Sequence, residues 1–250
     1  MTANSDDMSD FVNEIPKRQK ARRKFSFIEL FAVLCIIGLL VALLLPAVRT
    51  ARPAALRAQC VNNLKQIALA LRNYESAYKA LPPAYTVDSE GKPLHSWRTL
   101  ILPYLERQRL YESIDLSKPW NDLANAAALK TGMSEFRCPG ADCPANQTAY
   151  MAIVAPNGCF RPDKPRHLSE ITDDHGETLM VIEVGSEHAV HWMAPIDADE
   201  TLVMASGPST KRNHAGGTNA AFVDGSVRFL QSGTPAAERR ALISIAGNDK

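Results

Sequence analysis

The sequence predicts an α+β protein in which one long N-terminal helix crosses a membrane and continues into a domain built on an antiparallel β-sheet. Three observations predict it. Residues 30–48 form an uncharged, apolar run. Residues 56–78 carry an apolar stripe at helical spacing, ended by Leu81, Pro82 and Pro83. Further on, β-rich runs alternate with turn residues, the last of them folded about Asp224 and Gly225.

Together with Phe25, Phe27 and Ile28, the first run exceeds the roughly 20 residues that span a hydrocarbon core about 30 Å thick. Lys17, Arg18, Lys20, Arg22, Arg23 and Lys24 precede it; only Arg49, Arg52 and Arg57 follow within a similar distance. This asymmetry places the N-terminus in the cytoplasm and the remainder on the far side. A cleaved secretory signal would have a shorter apolar region ending in a small-residue site. Here the apolar region runs on into helix-like sequence, so we read it as a retained anchor. The expected divisions are a basic leader (1–24), a membrane helix (25–48) and an extracytoplasmic domain (49–250). Glu29 stands at the edge of the span, where a carboxylate needs either a partner or solvation among the lipid headgroups.

The stripe Leu56, Cys60, Leu64, Ile67, Leu71, Tyr74, Tyr78 is spaced by threes and fours, with Arg57, Lys65, Arg72 and Glu75 between. It extends the helix to about residue 79, with kinks expected at Pro46 and Pro53. A mainly helical insert is expected over 80–135, including a segment from His95 to Asp115 broken at Pro103 and a short helix over 121–131. Strands are expected over 149–155 and 178–184. Residues 220–230 read as a hairpin turning on Asp224-Gly225, a pair suited to a type I′ turn. Thr234 and Pro235 open a tail helix.

The chain of 250 residues is 46% apolar and 22% charged, which suits a folded protein. A net charge of +1 gives no electrostatic footprint for nucleic acid. No nucleophile elbow, HExxH or phosphate-binding loop occurs. No catalytic residue, metal or cofactor is therefore expected, and we read the chain as a non-enzyme. His188 and His191 are three apart, a spacing that would put them on opposite faces of a strand. Of the five cysteines, Cys35 lies in the apolar run, while Cys138, Cys143 and Cys159 share the outer domain. A disulfide among those three is chemically allowed outside the cytoplasm, with free thiols the equal alternative. Zinc would need two ligands beyond Cys138 and Cys143, and no second cysteine pair follows.

Arg23-Lys24-Phe25-Ser26-Phe27-Ile28-Glu29-Leu30, with the apolar run behind it, resembles the N-terminal segment of type IV prepilins and type II secretion pseudopilins. More specifically, the chain resembles the DUF1559 family of planctomycete-type bacteria. The residues that carry this are Leu44-Leu45-Pro46-Ala47-Val48, the stretch from Gln59 to Ile67, that from Ser96 to Glu106, Lys118-Pro119-Trp120 and Arg137-Cys138-Pro139. His214, nine residues and Asp224-Gly225 resemble the H-X9-DG motif of that family. The resemblance implies a pilin-like fold, a pseudopilin-like envelope protein, like subunits packing through the helix, and prepilin peptidase as a partner. Lys24 departs from the pattern, which has glycine before the cut. If cleavage occurs, Phe25 becomes the methylated N-terminus and Glu29 the fifth residue, which in pilins pairs with a neighbour's amino group. If it does not, the chain is an uncleaved single-pass anchor carrying a ligand-binding module. Asp224 and Gly225 have a structural role as turn residues, and His214, one strand away, is expected to bond Asp224 or the hairpin backbone.

Overall fold

The computed structural model describes residues 27–205 and 210–247, and within its first helix the side chains of all but residues 43–51. The chain divides into two units, 1–49 and 50–250. In the first, the described residues are the start of helix α1 (Phe27–Tyr78). Glu29 lies in its first turn, where an acidic side chain suits the positive end of the helix dipole. Every residue from 27 to 42 is exposed, Phe27 to 88%. No helix among the described residues is long and apolar enough to cross a membrane. The expected span, 25–48, extends past the residues described at one end and past the described side chains at the other. Lys24 and Phe25 lie outside the described residues.

In the second unit α1 buries its stripe. Cys60, Leu64, Ile67 and Leu71 are fully buried, each of the last three contributing roughly 1.5–3 kcal/mol of hydrophobic burial before entropy is counted. The stripe fades toward its end: Tyr74 is half-buried and Tyr78 exposed, their rings 4.4 Å apart. Helical backbone continues through both Pro46 and Pro53. Lys79 then takes a left-handed φ of 60° and donates its N–H to the Glu75 carbonyl. Leu81 leaves the helix to exchange backbone hydrogen bonds with Arg166, at 2.8 and 3.3 Å.

The insert is less helical than its sequence suggests. Strands β1 (Tyr85–Val87) and β2 (Pro93–Ser96) form a hairpin. The expected helix from His95 to Asp115 breaks into α2 (Trp97–Leu100), a 3-10 turn over Leu102–Leu105 and α3 (Gln108–Glu112). Three local causes act in sequence. The Ser96 hydroxyl caps α2, Pro103 supplies no backbone donor, and Glu106 adopts φ 60°. Helix α4 (Ala126–Leu129) ends the insert.

Strands β4 (Tyr150–Ala152), β5 (Leu179–Glu183), β7 (Gly217–Phe222) and β8 (Val227–Gln231) make an antiparallel sheet in the order β4-β5-β7-β8. Short β3 (Gln147–Thr148) pairs with β6 (Val190–His191) beside it. All five residues of β5 are buried because both sheet faces are covered. Met180 and Val181 join a core with the α1 stripe, Trp97, Phe136, Phe160 and Trp192. Leu179 and Ile182 join a second core with Val203 of α5 (Glu200–Ala205) and with Leu242 and Ile243 of α6 (Ala236–Ile243). The residue before α6 is Pro235, not the expected cap Thr234, whose hydroxyl donates instead to the Gln231 carbonyl at 2.8 Å.

One buried ion pair ties the insert to the sheet. Arg98 Nη2 lies 2.6 Å from Asp197 Oδ1, and the guanidinium also donates to the Tyr150 carbonyl and the Ser96 hydroxyl. Asp197 accepts in addition from Trp97 Nε1 at 3.0 Å and from the Ala152 N–H at 2.8 Å. Burial pushes the Asp197 carboxyl up and the Arg98 guanidinium down, against their mutual attraction. Removing one partner strands the other, which typically costs about 3–5 kcal/mol. Asp197→Ala should therefore lower the unfolding free energy of the full chain by that amount, read as a shift of the urea midpoint.

Candidate functional site

The residue singled out by the H-X9-DG resemblance, His214, opens onto a cluster that the sequence does not place together. Cys60 reaches it from the buried face of α1. Cys138 reaches it from the loop after Phe136, a loop fastened to α1 by Asn63, whose amide donates to the Ser134 and Arg137 carbonyls at 3.0 and 2.8 Å. Glu183 is the last residue of β5. His214 sits just before β7, in an isolated bridge with Gly217. The four side chains are buried, and one ligand atom from each lies within 4.8 Å of all the others.

The contacts inside the cluster are short. Cys138 Sγ donates to Glu183 Oε1 at 2.8 Å and lies 3.5 Å from His214 Nε2. His214 Nε2 is 3.2 Å from Glu183 Oε1. Two amides orient the carboxylate: Asn213 Nδ2 donates to Oε1 at 3.0 Å, and Asn219 Nδ2 to Oε2 at 2.8 Å. Gly140 packs against the imidazole so closely that a Cβ there would stand 2.8 Å from His214 Cε1. The Tyr150 hydroxyl is buried without a hydrogen-bond partner and close enough to Cys60 to perturb it.

The environment separates the four groups by protonation. Hydrogen bonding from Cys138, against the cost of burial, brings the Cys60 thiol down to about 6. Hydrogen bonding to Cys60 and Glu183 carries His214 up to about 9. Burial pushes Glu183 up, but bonds from His214, Cys138 and Asn213 outweigh it and hold the carboxyl below its usual range. Cys138 goes far up, through its bond to Cys60, its burial and the charge of Glu183. These shifts run in opposite directions: Cys60 and Glu183 are favoured as anions, and His214 and Cys138 are favoured in their protonated forms.

The other sequence candidates fall elsewhere. Asp224 and Gly225 occupy the β7–β8 turn, at the opposite end of β7 from His214. Of the two expected partners of His214, Asp224 lies a whole strand away, while the hairpin backbone meets it at Gly217. The turn also differs from the type I′ expectation. Gly225 alone has positive φ, at 88°, and its N–H donates to the Phe222 carbonyl while the Phe222 N–H donates to Ser226. This is a three-residue loop closed by a left-handed glycine. Asp224 Oδ1 accepts from the Ser226 N–H at 2.8 Å, and its carbonyl accepts from Arg72 of α1.

All five cysteines are free thiols. Cys138 is engaged with Glu183 and His214, Cys159 is buried in the core, and Cys143 is half-buried. His188 and His191 join no group of three or more metal-ligating side chains among the described residues. His191 Nε2 bonds the Leu129 carbonyl at 2.9 Å, and its ring lies 5.2 Å from that of Trp120. The sequence did carry signals for the two unexpected members. Cys60 stands among the leucines of the α1 stripe, and Glu183 is a carboxylate closing an otherwise apolar strand. The motif's glycine is testable by itself. Gly225→Ala forces a Cβ into left-handed backbone and should cost about 1–2 kcal/mol of unfolding free energy, measured by urea denaturation.

Residues 49–153 match a family described as protein of unknown function (DUF1559). No curated protein matches the chain, and no solved structure does. The matched stretch takes in the outer part of α1, the whole insert and the first strand of the central sheet, along with Cys60 and Cys138 of the cluster; over these residues the chain is similar to the DUF1559 family.

Proposed function

We propose that this is a non-enzymatic, pseudopilin-like protein of the cell envelope, held in the membrane by residues 25–48, with its folded domain outside the cytoplasm. The observation that carries the reading is the exposure of the first part of α1. Phe27, Ile28, Phe31, Leu34, Ile37 and Leu40 are each at least half exposed. Soluble monomers rarely expose contiguous apolar surface on this scale. A hydrocarbon core is the solvent that suits it, and the six basic residues over 17–24 supply the cytoplasmic flank. In the bilayer the helix packs with like helices, and Glu29 is the residue through which subunits register. Where the leader is cleaved before Phe25, prepilin peptidase is the processing partner. The lack of nucleophile and cofactor motifs supports a role without catalysis.

The protein should stay in the membrane pellet through a high-salt and alkaline carbonate wash. Recovery in the soluble fraction would contradict the anchor. Intact mass and N-terminal sequencing of the extracted chain then decide its route. A chain beginning at Phe25 places it on the pilin assembly path, and Glu29→Ala should then reduce its self-association in detergent. A chain retaining Lys17 to Lys24 makes it an uncleaved anchor carrying a ligand-binding module, the reading favoured by Lys24 at the cut site.

A further inference from the structure

The geometry points to a zinc site in the unit over residues 50–250, with Cys60 Sγ, Cys138 Sγ, Glu183 and His214 Nε2 as its four ligands. The site is closed and structural, and it is independent of the membrane reading.

Three features of the cluster support it. The first is size. Zinc bonds of about 2.3 Å to sulfur and roughly 2.0–2.2 Å to nitrogen and oxygen place the corners of a tetrahedron roughly 3.3–3.8 Å apart. The measured separations of 2.8, 3.2 and 3.5 Å, inside an outer limit of 4.8 Å, straddle that range. Small side-chain rotations therefore suffice to admit the ion.

The second is donor chemistry. Two thiolates, an imidazole and a carboxylate form a borderline-soft set that selects zinc over magnesium or calcium, which prefer oxygen alone. On binding, the ion takes the cysteines as thiolates and His214 as neutral imidazole, and any protons they carry pass to solvent. The ion then offsets most of the negative charge of two thiolates and a carboxylate. Four protein ligands with at most 7% exposure leave no open position for water or substrate, which is the mark of a structural site. The same burial argues against Cys60 as a nucleophile, since no substrate atom could reach it.

The third is the supporting layer. Asn213 and Asn219 fix both oxygens of Glu183, and Gly140 leaves room for the imidazole in one orientation. Such partners orient metal ligands and tune their affinity. The ligands come from four distant chain segments, so the ion clamps α1, the loop at 138, β5 and the entry to β7 together.

The full-length protein, extracted in detergent without a polyhistidine tag or chelator, should carry about one zinc per chain by elemental mass spectrometry. Cys60→Ser, Cys138→Ser and His214→Ala should each lose it, and Cys143→Ser should keep it. Asn219→Ala, which leaves all four ligands in place, should weaken zinc affinity about 10–100-fold. If ligand variants fail to fold, the wild-type chain still decides the matter. After chelation, titration with Co2+ should produce thiolate-to-cobalt charge-transfer absorption saturating at one equivalent. Folded wild-type protein that carries no zinc and gives no such absorption would overturn the proposal. So would a chain lighter by two hydrogens with the Cys60 and Cys138 peptides joined, since the pair would then be a disulfide. Retention of zinc by Cys60→Ser and Cys138→Ser would refute the ligand assignment.

Discussion

Glu183 brings a carboxylate to the end of β5, a strand buried along its whole length, and much of the domain is arranged to meet it. A lone buried charge costs several kcal/mol and persists only with partners. Here the partners come from elsewhere in the chain. Asn213 and His214 arrive from the segment before β7, Asn219 from β7 itself, and Cys138 from the loop that Asn63 binds to α1. Satisfying this one group therefore requires helix, loop and sheet to be assembled together. Local pairing of strands alone would leave the carboxylate stranded.

Arg98 follows the same logic on the insert side. Its fully buried guanidinium is surrounded by Asp197 and by carbonyl and hydroxyl oxygens, so α2, the edge strand β4 and the segment at 196–197 share one set of hydrogen bonds. Two buried polar centres thus complement two apolar cores. The cores supply undirected burial energy. The polar centres restrict which arrangement of the elements can use it, because each group has fixed donors and acceptors.

The parts of the fold legible in the sequence were those set by local pattern. The stripe from Cys60 to Leu71 is buried as its spacing requires, the apolar runs near 150 and 180 are strands, and the chain does reverse at Asp224-Gly225. Where local signals competed, the reading was coarser. Ser96, Pro103 and Glu106 divide one expected helix into three short turns. The turn at Gly225 uses a third residue, Val223, and so needs only one left-handed position. The hydroxyl of Thr234 binds Gln231 instead of capping α6. The cluster was illegible for a different reason. Cys60 is indistinguishable from a core residue of the stripe, and in sequence Cys138 groups with Cys143 and Cys159. Only the tertiary fold sets Cys60, Cys138, Glu183 and His214 about one point. The H-X9-DG spacing becomes intelligible in the same way: it measures one strand, β7, with the cluster at one end and the hairpin turn at the other.

The claim that these four groups form one coordination sphere is open to direct observation by zinc-edge X-ray absorption on the full-length protein. The account predicts a first shell of two sulfur scatterers at about 2.3 Å and two nitrogen or oxygen scatterers at roughly 2.0–2.2 Å. A shell of nitrogen and oxygen alone, or one with a single sulfur, would contradict it.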